Sequence, residues 1–417
     1  MLIKTLLNKI ERFKSFIYGK FQLETVAGEE ALVINIQPRR NSKPECPVCH
    51  QRFKAYDRQP TRMFEYVPVW THKVYFRYAP RRVACPDHGV KVEFLPWSFG
   101  KERMTTTFKV YLARWARRLS WQETADIFKT SWDSVYRSVQ YVVEYGLAQR
   151  TFDNVTEIGV DEIAVFKGHK YLTMVYQINA GAKRLLWCGS DRRVKTLLRF
   201  FRVFGKECSA KLEFVCSDMW QPYLKVIARK APNALNVLDR FHIMKKFNEA
   251  IDEIRRCEVK DFKSNKQENV LAKGRWLLLK RPENLCEKQT ARLGDLLKLN
   301  LSSIKGYLMR EEFQRFWEYK QPDLAEQFLD NWVTRTLQTD LEPMKKVAKM
   351  LRNHKSLILN WFKAEGHLSS GTVEGLNLKA KLTMRKAYGY RTTECLKTAL
   401  YHTLGKLPEP QCIYRFS

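Results

Sequence analysis

The spacing of apolar residues changes period several times along the 417 positions, and each change predicts a different kind of element. Leu2, Ile3, Leu6, Leu7, Ile10 and Phe13 recur at the spacing of one helical face, which predicts an amphipathic helix at the start of the chain. Residues 31–37 alternate as a strand does and run into 38–44, where Pro38 and Pro44 bracket a breaker-rich link. Strand-like runs at 62–70 and 73–84 lie between two cysteine-bearing knuckles, giving a small β-rich module. From 107 to 149 the period is helical, in three short pieces. Between 156 and 238 the texture is of buried strands and helices, with strands expected at 158–166, 171–178, 185–189, 212–218 and 234–238. A tract from about 243 to 365, rich in Lys, Glu, Leu and Trp, is helical, and after 366–370 a last helical region extends to about 406. The pattern shows no internal repeat.

Composition narrows the class of partner. Lys and Arg number 74 against 44 Asp and Glu, a formal charge of +30, while 45% of the residues are hydrophobic. The chain therefore builds packed cores yet carries a large excess of cations, and nucleic acid is the polyanion that such a surface suits, because neutralised phosphates release condensed counterions. A merely basic protein is the plainer alternative. No stretch reaches the 18 or more apolar residues of a membrane span. The first helix lacks the apolar core of a secretory signal and contains Glu11, so it reads as a docking or dimerising helix. Ten cysteines, few in paired spacing, suit a reducing compartment, and a cytoplasmic, nucleoid-associated protein of a prokaryote is expected.

The two knuckles are Cys46-Pro47-Val48-Cys49 and Cys85-Pro86-Asp87-His88. Two ligands from one tight turn reach a tetrahedral ion, and a second pair completes its shell, so Cys46, Cys49, Cys85 and His88 are expected to hold a structural Zn2+. From spacing alone, His50 or His72 could serve in place of His88. Downstream, Ser120 followed by Glu123 is a helix-capping pair, and Thr130-Ser131 makes a turn into a second helix. This is a helix-turn-helix pattern, with Trp132, Val135, Val139 and Val142 inward and Ser134, Arg137, Ser138 and Gln140 facing a DNA groove. A three-helix bundle that binds nothing has the same period.

Acids interrupt apolar surroundings at several points along the chain. The run 158–166 is strand-like but contains Asp161 and Glu162, and burying charge is costly unless it is paired or metal-bound. Strand neighbours face opposite sides, so one of the two points into any given site. Asp218 ends a further strand, where open α/β sheets collect their ligands. Asp239 repeats that arrangement with His242 three residues on, and the pattern alone does not choose between Asp218 and Asp239. Late in the chain, Glu374, Asn377, Lys381 and Arg385 form one polar helical stripe opposite Val373, Leu376 and Ala380.

The order of these motifs resembles the ISL-three insertion-sequence transposases. It runs from the knuckles and the helix-turn-helix through Val160-Asp161-Glu162, Lys167-Gly168-His169-Lys170-Tyr171, Ser217-Asp218-Met219 and Asp239-Arg240-Phe241-His242. It ends with Ser370-Gly371-Thr372-Val373-Glu374-Gly375-Leu376-Asn377 and Arg385-Lys386-Ala387-Tyr388-Gly389-Tyr390-Arg391. The resemblance spans essentially the whole chain, although His88 stands where such proteins often have Cys. It implies a multidomain α/β protein: a zinc-ribbon-like module (1–98), a helix-turn-helix domain (99–150), and a ribonuclease H-like mixed β-sheet core (151–242 and 366–417) interrupted by an all-α insertion (243–365).

It further implies a DDE transposase that binds the terminal repeats of an insertion sequence and performs metal-dependent strand cleavage and transfer. Asp161, Asp218 and Glu374 would hold Mg2+ or Mn2+, while Asp239, His242 and Asn377 would support the site or position DNA. Arg117, Arg118, Ser134, Arg137, Lys381, Arg385, Lys386 and Arg391 are the expected DNA contacts. The partners are double-stranded DNA, both repeat and target, and further copies of the chain, at least a dimer.

Overall fold

The computed structural model describes residues 3–166, 170–266, 268–364, 371–387 and 389–411. They fall into two compact units, one formed by Met1–Thr151 with Lys381–Ser417 and the other by Phe152–Ala380.

In the first unit α1 (Ile3–Ile10) is followed by the long hairpin β1 (Phe16–Val26) and β2 (Glu29–Pro38), which turns through Ala27 and Gly28, both at positive φ. The helix stops at Ile10, earlier than the apolar spacing suggests. Phe13 instead leaves the helix and buries itself against Trp97, their ring centroids 5.1 Å apart. The hairpin strand β1 escapes a reading by alternation because much of it is only half-buried. The short strand β3 (Ala55–Arg58) follows.

The run expected at 62–70 is β4 (Arg62–Val69), but the run expected at 73–84 is two strands, β5 (His72–Tyr78) and β6 (Arg81–Cys85). Pro80 lies between them; lacking an amide hydrogen, it cannot continue a ladder. The chain thereby changes sheets. β5 joins the sheet ordered β1-β2-β5-β4, while β6 sits between β3 and β7 (Gly89–Val92). The first sheet is packed around the fully buried Trp97, which is ringed by Phe13, Phe16, Phe64, Phe76 and Tyr78.

Three helices follow: α2 (Thr106–Arg118), α3 (Trp121–Ile127) and α4 (Trp132–Gln149). Ser120 and Glu123 form the reciprocal cap that their spacing implies. Ser131 caps α4, accepting from the Ser134 amide at 3.1 Å. Val135, Val139 and Val142 point inward as expected, but Ser138 does too: it is fully buried, and its hydroxyl donates to the Ser134 carbonyl. A small hydroxyl that satisfies itself on its own helix is cheap to bury.

The second unit is built on a five-stranded sheet of β8 (Glu157–Phe166), β9 (Lys170–Gln177), β10 (Arg184–Gly189), β11 (Phe214–Ser217) and β12 (Leu235–Leu238). Its order is β10-β9-β8-β11-β12. The first three strands form an antiparallel meander, and β11 lies parallel to both β8 and β12. The turn expected at 167–169 lies outside the described residues. Helices α5 (Val194–Phe204), α6 (Lys206–Ala210) and α7 (Gln221–Lys230) connect the strands. Phe200, Phe204, Tyr223 and Ile227 from α5 and α7 cover Ile158, Val160 and Val215 on one face of the sheet.

The long helix α8 (Arg240–Ser264) starts earlier than position 243, because the Asp239 carboxylate caps it by accepting from the Phe241 amide at 2.7 Å. The helical tract continues as α9 (Arg275–Leu279), α10 (Glu287–Leu297), α11 (Ser302–Gln314), α12 (Pro322–Leu337), α13 (Glu342–Asn353) and α14 (Lys355–Lys363). It has its own core of Phe247, Phe313, Phe316, Trp332, Met344 and Leu351.

Helix α15 (Gly371–Lys386) gives its residues up to Ala380 to this unit, and the positions at 369–370 expected to open it lie outside the described residues. Residues from Lys381 onward group with the first unit, which divides the segment 366–417 expected to act as one piece of core. The cause is apolar: α16 (Thr393–Leu404) buries Leu396, Ala399 and Leu400, and Gly146 of α4 leaves room for Leu407 and the Pro408 carbonyl.

Candidate active site and thiol cluster

Strand β8 divides its two acids between the faces of the sheet, since neighbouring side chains alternate. Gly159 and Asp161 share the face covered by α15, where a Cβ at Gly159 would lie 2.5 Å from Val373. That close approach lets Asn377 reach the sheet. Its amide donates to Asp161 Oδ2, and its own Oδ1 accepts from the Tyr176 hydroxyl at 2.8 Å. Asp161 Oδ1 accepts from the Glu162 amide at 2.7 Å. His242 Nε2, in the first turn of α8, stands 3.9 Å from Asp161 Oδ1 and 3.8 Å from Asp239 Oδ2. Burial pushes the Asp161 carboxyl above the usual range and the charge of Asp218 adds to this, while the Glu162 amide, His242 and Asn377 oppose it.

Glu162 faces the α5–α7 side. Arg192 Nε lies 3.0 Å from its Oε1, and Arg192 Nη2 donates to Asp218 Oδ2 at 3.1 Å. The guanidinium centre sits 4.6 Å from the Trp220 ring centroid, and Asp218 Oδ1 accepts from the Trp220 amide at 2.9 Å. Burial pushes Glu162 up to about 8, with the charges of Asp218 and Asp161 adding to it and Arg192 pulling the other way. Sequence reasoning missed Arg192. The signal was there: Asp191-Arg192-Arg193 comes just after a strand that runs in the same direction as β8 and ends level with Glu162, near the point where β11 stops.

Asp161, Asp218, Asp239, His242 and Asn377, each singled out from sequence, thus come to one neighbourhood. Asn377 differs from its reading as part of a polar stripe: it is buried beside Val373, Leu376 and Ala380. Glu374 stands one turn before it and is exposed. Among the described residues, no carboxylates form a group of three or more with ligand atoms all within 4.8 Å of one another.

The thiol knuckles do form such a group, Cys46, Cys49, Cys85 and His88. The Cys49 and Cys85 sulfurs are 3.7 Å apart, and His88 Nδ1 is 3.4 Å from Cys85 Sγ and 3.9 Å from Cys46 Sγ. A tetrahedron with metal–sulfur bonds of about 2.3 Å has edges of roughly 3.8 Å, so the set suits an ion such as zinc. The β6–β7 hairpin presents Cys85 beside His88, and the Cys46 amide donates to the Gln51 carbonyl at 2.8 Å to close the other knuckle. Burial works against the Cys46 thiolate, yet the Cys49 and Val48 amides and the neighbouring thiols draw its pKa down to about 7. His50 and His72, the alternative ligands, are instead engaged with Glu45 and Glu30.

Of the cations expected to meet DNA, Arg118, Arg137, Lys381, Arg385 and Lys386 are exposed. Arg117 pairs with Glu409 at 3.0 Å, and Lys386 donates to the Arg118 carbonyl. Arg391 stacks 4.6 Å over Trp132 and lies 3.9 Å from Asp133. The Ser134 hydroxyl is held 2.9 Å from Ser131 within the cap of α4.

The second unit is thus an α/β sheet with Asp161 midway along β8 and Asp218 just past β11, and comparison with known proteins gives its family. The family model DDE_Tnp_ISL3, described as Transposase, matches residues 158–400, more than half of the chain, and the chain belongs to this transposase family. It is 26% identical to the transposase for insertion sequence element IS1001 of Bordetella parapertussis, over 84% of this chain and 86% of that relative. It is 27% identical to the transposase for insertion sequence element IS1557 of Mycobacterium tuberculosis, over 92% of this chain and 90% of that relative. No helix among the described residues is long and apolar enough to cross a membrane.

Proposed function

We propose that this chain is a DDE transposase with a ribonuclease H-like core, which binds the terminal repeats of an insertion sequence and cleaves and joins DNA strands. Asp161, Asp218 and Glu374 are its catalytic acids. The observation that supports the reading is the register of β8 and β11, which brings Asp161, midway along β8, level with Asp218, just past the end of the adjacent parallel strand β11, on a sheet whose central strand is the first of five.

The acids fit a divalent ion. Among the described residues, Asp161 and Asp218, with Glu162 beside them, meet the guanidinium of Arg192 and the imidazole of His242, and the buried Glu162 Oε1 makes no well-aligned hydrogen bond. A cluster of carboxylate oxygens of this kind suits Mg2+ or Mn2+, which prefer carboxylate oxygen. When bound, the ions would supply Lewis-acid stabilisation of charge developing on the phosphodiester.

The chain's own groups prepare that site. Asn377 and the Glu162 amide fix the two oxygens of Asp161, and the Trp220 amide fixes one oxygen of Asp218. His242, between Asp161 and Asp239, orients both. Glu374 lies on the same helix as Asn377 and joins the acids when DNA is bound. The exposed Arg137, Lys381 and Arg385 hold flanking phosphates. The thiol cluster binds a structural Zn2+, four protein ligands leaving no open position. Because two transposon ends must be joined, the working species is at least a dimer.

The test is cleavage and joining of labelled DNA bearing candidate terminal repeats, with Mg2+, for wild type and Glu374→Ala beside a matched binding assay. Wild type is expected to cleave and join and the variant only to bind. Binding without cleavage by both would make the chain an end-binding regulator. Cleavage by the variant would remove Glu374 from the acid set.

A further inference from the structure

The guanidinium of Arg192 belongs to none of the motifs that carry the family resemblance, yet among the described residues it engages two of the acids at once. It bridges Glu162 on β8 and Asp218 after β11, acids that come from two strands. The loop that carries it is pinned: the Asp191 carbonyl accepts from the Thr173 hydroxyl at 2.6 Å, and the Asp191 carboxylate from that of Thr196. Trp220 serves both partners, its ring beneath the guanidinium and its amide on the other oxygen of Asp218. Without this cation, the carboxylates of Glu162 and Asp218 would lose the charge that bridges them and offsets their repulsion.

We infer that Arg192 is the resident counter-ion of the site, a positioning residue that holds Asp218 and Glu162 apart from bound metal and competes with a divalent cation for Asp218. This inference rests on the reading of Asp218 as a metal ligand. Each oxygen of Asp218 already accepts one hydrogen bond, and the one facing Glu162 is taken by the guanidinium. An incoming ion meets a fixed positive charge at the oxygen it needs. Metal loading is therefore opposed by Arg192 until it gives up Asp218. The stacked position over Trp220 lets it do so while remaining beside the site, as a cation ready for a phosphate. The threshold of metal concentration at which the acids load is set by this exchange.

The experiment measures Mn2+ binding by electron paramagnetic resonance on the full chain, purified with zinc and without DNA. The proteins are wild type, Arg192→Ala, Arg192→Gln, Arg192→Lys and Asp218→Asn, each checked for cooperative thermal unfolding. Removing a unit charge from beside a divalent ion is expected to tighten Mn2+ binding roughly tenfold in Arg192→Gln and in Arg192→Ala. Arg192→Lys keeps the charge and is expected to stay near wild type. The neutral glutamine, close to arginine in shape, keeps the test open if the alanine variant does not fold. Unchanged or weaker Mn2+ binding by the neutral variants, with binding lost in Asp218→Asn, would overturn the counter-ion role and leave the metal site standing. Unchanged binding by Asp218→Asn would overturn the metal site itself and this inference with it.

Discussion

Asn377 and Asp161 lie 216 positions apart and meet in one hydrogen bond, with the amide donating to a carboxylate oxygen that burial would otherwise leave costly. The Tyr176 hydroxyl, donating to Asn377 Oδ1, fixes which way that amide points. The helix that carries Glu374 is thus registered against the strand that carries Asp161 through a single polar chain.

Removing Asn377 leaves a buried carboxylate short of a donor. Asn377→Leu is expected to lower the unfolding free energy by about 1–3 kcal/mol, and Tyr176→Phe by about 1 kcal/mol. Urea titrations of both variants check this; equal and negligible losses would mean that the chain of bonds does not hold α15 in place.

Gly159 permits the close approach of α15 to β8. A methyl there would meet Val373 at 2.5 Å, so Gly159→Ala forces strand or helix to shift and is expected to cost about 1–3 kcal/mol. Strand cleavage should fall more steeply than end binding, because the shift separates Asn377 from Asp161. Thermal unfolding and the cleavage assay together read the two effects.

For the thiol cluster, the purified chain should carry about one zinc, and Cys49→Ser should lose most of it. Elemental analysis measures the metal. Chelation is expected to lower the melting temperature of the wild type and to leave Cys49→Ser little changed.

Glu162 gives a pH signature in metal-free protein. Its folded pKa is raised from 4.5 to about 8, so between those values the folded state keeps a proton that the unfolded state has released. Stability from this group therefore falls as pH rises from 4.5 to 8. Glu162→Gln should equal wild type below pH 4.5 and exceed it by up to a few kcal/mol near pH 8, as measured by denaturant unfolding across that range.

His402 should act with the opposite sign. Burial, with Arg117 adding to it, depresses its folded pKa from 6.5 to about 3, and its Nε2 has no hydrogen-bond partner. Below 6.5 the unfolded state takes up a proton that the folded state refuses, so stability falls as pH drops from 6.5 towards 3. His402→Leu is expected to flatten that loss, and unfolding measured between pH 3 and 7 would show the same slope in both proteins if the imidazole were not responsible.

Local chemistry was legible where one short stretch supplies all the partners. The cap of Ser120 on Glu123 needs three residues of spacing, and both appear as read. The knuckles Cys46–Cys49 and Cys85–His88 each fit a tight turn, and alternating or continuous apolar runs marked all five strands of the second sheet to within a residue or two. The shorter β11 ends before Asp218, which lies just beyond it, where its carboxylate turns back to accept from the Trp220 amide.

What resisted reading depends on partners far away in the chain. A polar stripe on α15 was visible, but Asn377 is buried because the surface it meets offers a carboxylate and a phenol rather than water. Arg192 looks like any basic loop residue until the sheet brings the ends of β8 and β11 beside it. The run 73–84 looked like one strand, and only the competition between two sheets divides it at Pro80. The sequence by itself determined the family, the thiols that cluster and the acids proposed for its chemistry, since these follow from residue type and short-range period. Tertiary structure alone decided which face each acid takes, which cation answers it and which helix reaches it, because those contacts join elements from 26 to 216 residues apart, and no local pattern encodes that pairing.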